Sequence, residues 1–143
     1  MKIGIACDHA GFIHKENLKN YLKEKGIEVK DFGCYSDESV DYPDFAHELA
    51  KSIQIKKIDF GIQFCGTGNG INMSANKHKG IRSALCWNVH IAEQSRLHNN
   101  ANILTMPARH LNWNEVKEIV DVFLTTKFEG GRHERRVKKI NIS

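Results

Sequence analysis

The chain has 143 residues, of which 41% are hydrophobic and 27% charged, and its formal net charge is +4. That length suits one domain (1–143), which buries roughly two thirds of its unfolded surface without disulfide or metal staples. The modest charge accommodates a small anionic ligand without demanding one. No stretch approaches the roughly 20 apolar residues of a membrane span, and residues 1–7 are too short, and too soon interrupted by Asp8, for a signal peptide.

Residues 2–7 form an apolar run of strand length, and 11–25 follow with helical spacing in Phe12, Leu18, Tyr21 and Leu22. Gly26 stops that helix, and 27–32 make a short second strand. Asp41-Tyr42-Pro43-Asp44 opens a helix whose face carries Phe45, Leu49 and Ile53. Residues 58–64 are a third strand, then a glycine-rich turn, then a helix starting at Ile71. Residues 81–86 are a fourth strand, 88–97 a helix ended by His98-Asn99-Asn100, and 101–106 a fifth strand. An amphipathic helix over 112–124 precedes a basic tail from about residue 127. This alternation predicts an α/β protein: a three-layer α/β/α, Rossmann-like fold on a five-stranded parallel sheet. In the common order 2-1-3-4-5, strands one and three are neighbours, and their carboxyl ends would bring Asp8, His9 and Cys65 to one crevice.

The cysteines Cys7, Cys34, Cys65 and Cys86 lie far apart with no C-x-x-C pair, so neither structural zinc nor a disulfide framework is expected. Reduced thiols in the cytoplasm are the default, and three of the four read as packing residues. Cys65 differs, because Gly66-Thr67-Gly68-Asn69-Gly70 follows it. Those glycines let backbone amides approach a ligand, and the positive end of the next helix favours a thiolate, the form that acts as base or nucleophile. The plain alternative is a tight strand-to-helix turn with a buried cysteine.

Phosphoryl-transfer loops do not fit. A P-loop needs Lys and then Ser or Thr after its last glycine, whereas Ile71-Asn72 follow Gly70. A cysteine phosphatase loop of the C-x5-R kind needs arginine where Ile71 stands. A dinucleotide fingerprint has other glycine spacing and an acidic residue about 20 positions on, where Leu85-Cys86-Trp87 offers none. By themselves, Asp8 and His98 also read as a turn residue and a surface imidazole, and His98-Asn99 as a polar helix end. His14, His47, His78 and His90 have no partner pattern and read as surface residues. The tail Arg132-His133-Glu134-Arg135-Arg136 lacks the interleaved aromatics of a nucleic-acid binder. On a helix, Arg132 and Arg136 share one face and could grip a phosphate dianion; a merely solvated basic helix is the alternative.

Asp8-His9-Ala10-Gly11, Asp41-Tyr42-Pro43, Cys65 to Gly70, His98-Asn99 and Glu129-Gly130-Gly131-Arg132-His133 occur in that order. Together they closely resemble the type B ribose-5-phosphate isomerases, in the wider family that includes galactose-6-phosphate isomerases. The resemblance spans essentially the whole chain. It implies a cofactor-free and metal-free cytoplasmic aldose–ketose isomerase of the non-oxidative pentose phosphate pathway. Such an enzyme interconverts ribose 5-phosphate and ribulose 5-phosphate through a cis-enediolate.

The resemblance also implies the roles of residues. Cys65 is the base between C1 and C2; Asp8 and His98 open the furanose ring with Thr67 nearby. His9, Arg109, Arg132 and Arg136 hold the phosphate. Gly66, Thr67, Gly68, Asn69, Gly70 and Asn99 hold sugar oxygens and the enediolate, and Tyr42 joins the substrate-binding set. It further implies a homodimer or dimer of dimers with shared active sites, and no membrane or nucleic-acid partner. The family often has an acidic residue after the His-Asn pair, where this chain has Asn100. The rival readings are a 6-phosphate hexose isomerase (allose or galactose) and a non-catalytic phosphosugar-sensing module. Retention of the whole residue set favours the pentose enzyme.

Overall fold

The computed structural model describes residues 1–142. Five parallel strands, β1 (Lys2–Cys7), β2 (Glu28–Asp31), β3 (Phe60–Cys65), β4 (Ser83–Leu85) and β5 (Ile103–Pro107), form one sheet. The helices are α1 (Phe12–Glu24), α2 (Tyr42–Gln54), α3 (Asn69–Ala75), α4 (Val89–Asn99), α5 (Trp113–Thr125) and α6 (Arg132–Lys138). Among the described residues no helix is long and apolar enough to cross a membrane.

The strand order is β2-β1-β3-β5-β4, which corrects the expected 2-1-3-4-5. The reason lies in burial. All five residues of β5 are buried, so β5 takes the interior position, whereas β4 is only three residues long and half-buried and sits at the edge. The exchange matters for function, because it places the segment after β5 directly beside the glycine turn after β3.

The two faces of the sheet differ in residue size. Ile3, Ile5, Ile62, Phe64, Leu104 and Met106 point to one side, where they pack with Leu18, Leu22, Val116, Ile119, Val120 and Phe123 of α1 and α5. Ala6 and Ile103 point to the other side, against Leu49, Ala50 and Ala75 of α2 and α3. Small residues let α2 lie close: a Cβ on Gly4 would reach within 2.6 Å of Leu49 Cδ1. A buried polar group crosses this second face. Gln63 Nε2 donates to Thr105 Oγ1 (2.8 Å) and to the Ile71 carbonyl (3.1 Å), tying the first turn of α3 to the sheet.

Three of the four histidines read as surface residues are held instead. His14 hydrogen-bonds the Leu111 carbonyl (2.9 Å) and stacks on Phe64, and His47 Nδ1 meets His78 Nε2 at 2.8 Å; only His90 is exposed. An imidazole has an apolar body and two polar edges, so it fits such half-buried positions.

Lys15, fully buried, forms a 2.7 Å ion pair with Asp31, which also takes Lys19 at 2.7 Å. Burial opposes the charge on Asp31, but hydrogen bonds from Lys15, Lys19 and the Gly33 N–H outweigh it and hold its carboxyl below the ordinary carboxylate range. Asp31→Asn should therefore lower stability by about 2 kcal/mol at neutral pH, because Lys15 and Lys19 lose a shared carboxylate and Lys15 is left with Glu16 alone, at 2.8 Å. A carboxylate with a depressed folded-state pKa contributes above its unfolded value of about 3.9 and stops contributing as pH falls through the folded one. The gap between wild type and variant should thus close below about pH 4. Urea unfolding across pH measures it; equal midpoints at pH 7 would contradict the assignment.

Candidate active site

β1 delivers Asp8 and His9 to the carboxyl edge of the sheet. Asp8 caps a one-turn helix at His9–Gly11, and its Oδ1 accepts the Ala10 N–H at 2.9 Å, leaving Oδ2 for a ligand. Its own N–H donates to the Phe64 carbonyl (3.2 Å), which locks the end of β1 to β3. His9 Nδ1 accepts the Val40 N–H at 3.3 Å, which puts the ring proton on Nε2 as a donor.

Cys65 ends β3 opposite Pro107 of β5 and is 5% exposed, packed with Ala46 and Ile71. Past it, the N–H groups of Gly66, Thr67 and Gly68 donate to no protein acceptor among the described residues. Helix α3 begins at Asn69, two residues earlier than the sequence pattern predicts, so Gly70 lies inside its first turn.

Each glycine of the turn has its own reason. Gly68 adopts φ +78°, and a Cβ there would strike Leu85 Cδ1 and approach the Met106–Pro107 backbone to 3.3 Å. On Gly66 a Cβ would meet Arg109 Nη1 at 2.8 Å, and on Gly70 it would run into the Tyr42 ring. Arg109 and Tyr42 thus flank the turn, and the Arg109 N–H donates to the Gly66 carbonyl at 3.1 Å. Thr67 and Asn69 are exposed beside them, with the Asn69 N–H directed to Thr67 Oγ1 (3.3 Å). Asp8, His9, Tyr42, residues 65–70 and Arg109 therefore share one edge of the sheet.

The remaining expected residues lie elsewhere in the chain. His98 and Asn99 end α4, just before β5 begins at Ile103, and so belong to the amino edge of the sheet. The four residue steps of β5 from Ile103 to Pro107 span roughly 13 Å, and the 11-residue α4 is roughly 16 Å long. Asn100 adopts a left-handed conformation (φ 48°, ψ 44°), which asparagine tolerates better than most side chains, and its Oδ1 accepts Arg96 Nη1 at 2.9 Å. Asn100 is thus a helix cap whose side chain turns to Arg96.

The tail docks on this second cluster. Arg96, 7% exposed, donates to the carbonyls of Ala101 (2.6 Å) and Thr126 (3.1 Å), and the Glu129 N–H donates to the Leu97 carbonyl (3.1 Å). Helix α6 then places Arg132 and Arg136 one turn apart and exposed, and stacks His133 on His98 at 4.2 Å between centroids. Glu129 Oε2 lies 3.9 Å from Nε2 of both rings. Burial above all, then His98, Arg132 and Arg136, holds the His133 imidazole below the ordinary histidine range against the opposing pull of Glu129. The anchoring parts of Arg96, Glu129 and His133 are not marked by the sequence motifs; a long cation amid apolar helix positions is the available signal for Arg96.

A profile described as Ribose/Galactose Isomerase matches residues 3–140. The chain belongs to the ribose/galactose isomerase family. Ribose-5-phosphate isomerase B of Escherichia coli (strain K12) is 43% identical over 139 residues, covering 97% of this chain and 93% of its own. A ribose 5-phosphate isomerase from Thermotoga maritima superposes with a TM-score of 0.96 at 55% identity, covering 97% of this chain and 96% of that one. Ribose-5-phosphate isomerase B from Mycoplasma genitalium, solved with bound ribulose-5-phosphate, gives 0.92 at 45% identity over 97% and 93% of the two chains. Family membership agrees with the resemblance carried by the sequence motifs, and the chain is an isomerase.

Proposed function

We propose that this isomerase interconverts ribose 5-phosphate and ribulose 5-phosphate, within pentose phosphate metabolism, with Cys65 Sγ moving a proton between C2 and C1. The observation that carries this reading is the thiol of Cys65 placed directly before three amides, those of Gly66, Thr67 and Gly68, that no acceptor among the described residues uses. Removing a proton next to a carbonyl builds negative charge on oxygen, and each well-placed donor lowers that barrier by about 3–4 kcal/mol. The same turn thus serves base and cis-enediolate together. Asp8 Oδ2 and the His98 imidazole act on the ring and anomeric oxygens, and the arginines with His9 hold the phosphate.

The reading includes a homodimer whose active sites each join the carboxyl edge of one copy to the His98–Arg136 cluster of the other. It is supported by the separation of those two groups within a single chain. Cytoplasmic residence is part of the proposal as well, since four free, buried thiols suit a reducing compartment.

Initial rates on ribose 5-phosphate, allose 6-phosphate and galactose 6-phosphate, compared side by side, test the substrate. Ribose 5-phosphate is expected to give the highest kcat/KM. A hexose phosphate turned over faster would overturn the pentose assignment, and no turnover of any of the three would overturn the reading altogether.

A further inference from the structure

His98, Glu129 and His133 bring two imidazoles and one carboxylate together, their ligating atoms all within 4.8 Å of one another. We propose that this trio is a binding site for a borderline transition-metal ion of the zinc class, and that the ion acts as an inhibitor by taking His98 out of use. The metal site itself stands independently of the isomerase reading, whereas the inhibitory consequence rests on it.

Three features carry the proposal. Two histidines and a glutamate are a donor set that zinc takes with a fourth position left open, and imidazole selects zinc-class ions over magnesium or calcium. His133 is 6% exposed, and its Nε2, the atom that faces Glu129, has no hydrogen-bond partner. A buried ring nitrogen without a partner is uncommon, because leaving it unsatisfied is costly, and a bound cation would satisfy it. The third feature is the division of mobility. His133 is fixed by burial, while the side chains of Glu129 and His98 are 56% and 38% exposed in the single chain.

Zinc–nitrogen and zinc–oxygen bonds of about 2.0–2.2 Å require the ligand atoms to close on the ion by roughly an ångström. Rotation of Glu129 and of His98, which turns out of its near-parallel stack on His133 so that both ring planes meet at the ion, supplies that closure. Arg132 and Arg136 lie on the same short helix and their charges oppose a cation, so Glu129 is the necessary counter-charge. Hard ions, which need several oxygen donors, find only one carboxylate here.

Zinc sulfate titrated into the full-length protein, in competition with a chromophoric chelator, measures binding directly. One zinc per chain is expected, with affinity at least tenfold weaker in both His133→Gln and Glu129→Gln, and cobalt(II) in its place should give visible bands without thiolate charge transfer. Absence of binding, unchanged affinity in both variants, or thiolate bands from cysteine ligation would each overturn the site. Turnover measured on the same samples should fall in step with occupancy. Binding at the trio with turnover unaffected would leave the metal site standing and overturn both the inhibitory step and the assignment of ring opening to His98.

Discussion

Cys65→Ala is expected to lower turnover by about 10²–10⁴-fold, the usual weight of a positioned general base. It should also abolish exchange of the substrate C2 proton into deuterated water. The loss should be chemical and not structural. Cys65 belongs to a small buried group with Ala46 and Ile71, and removing one sulfur from it costs about 1 kcal/mol. The glycine turn does not depend on the sulfur, since it is held by the Arg109-to-Gly66 backbone bond and by Gln63 Nε2 on the Ile71 carbonyl. A variant with a near-normal urea midpoint and no proton exchange fits this account. Exchange at the wild-type rate would remove Cys65 as the base.

The other three thiols lie in the main core, away from the glycine turn. Burial, reinforced by the neighbouring Cys34, holds the Cys7 thiol far above the ordinary cysteine range, and burial raises Cys86 to about 11. Both thiols stay protonated at neutral pH, and Cys7 and Cys34 face each other at 3.7 Å inside the core. They are packing residues, as their scattered positions in the sequence imply.

Much of the fold is legible in the alternation of apolar runs and helical faces, because each run buries a face that only a layered sheet can cover. Strand order is not legible in the same way. Residues 81–86 read as a six-residue strand, but Arg82 spends its side chain on the Asn100 and Gly80 carbonyls, and pairing shrinks to Ser83–Leu85. With β4 at the edge, β5 lies beside β3 and brings Arg109 over Gly66. The start of α3 was hidden because glycine at position 70 suits a turn and the first turn of a helix alike, and the Tyr42 ring that leaves no room for a Cβ there is distant in sequence.

The motifs around Cys65 and around His98 are equally visible in the sequence, yet the sequence order conceals that one chain keeps them apart. The clue was present in direction alone. A residue that closes a helix before a parallel strand lies at the opposite edge from one that closes a strand, and His98 and Cys65 are of those two kinds.

The shared site is the central claim, and a mixing experiment tests it most directly. Cys65→Ala and His98→Gln should each be nearly inactive alone. Co-expressed in equal amounts with different tags, about half of the dimers would carry one copy of each. Every such dimer would hold one site with both Cys65 and His98 and one with neither, so the mixture should regain about a quarter of wild-type activity. Purified mixed dimers should show about half. Activity no greater than the sum of the two separate variants would contradict the account.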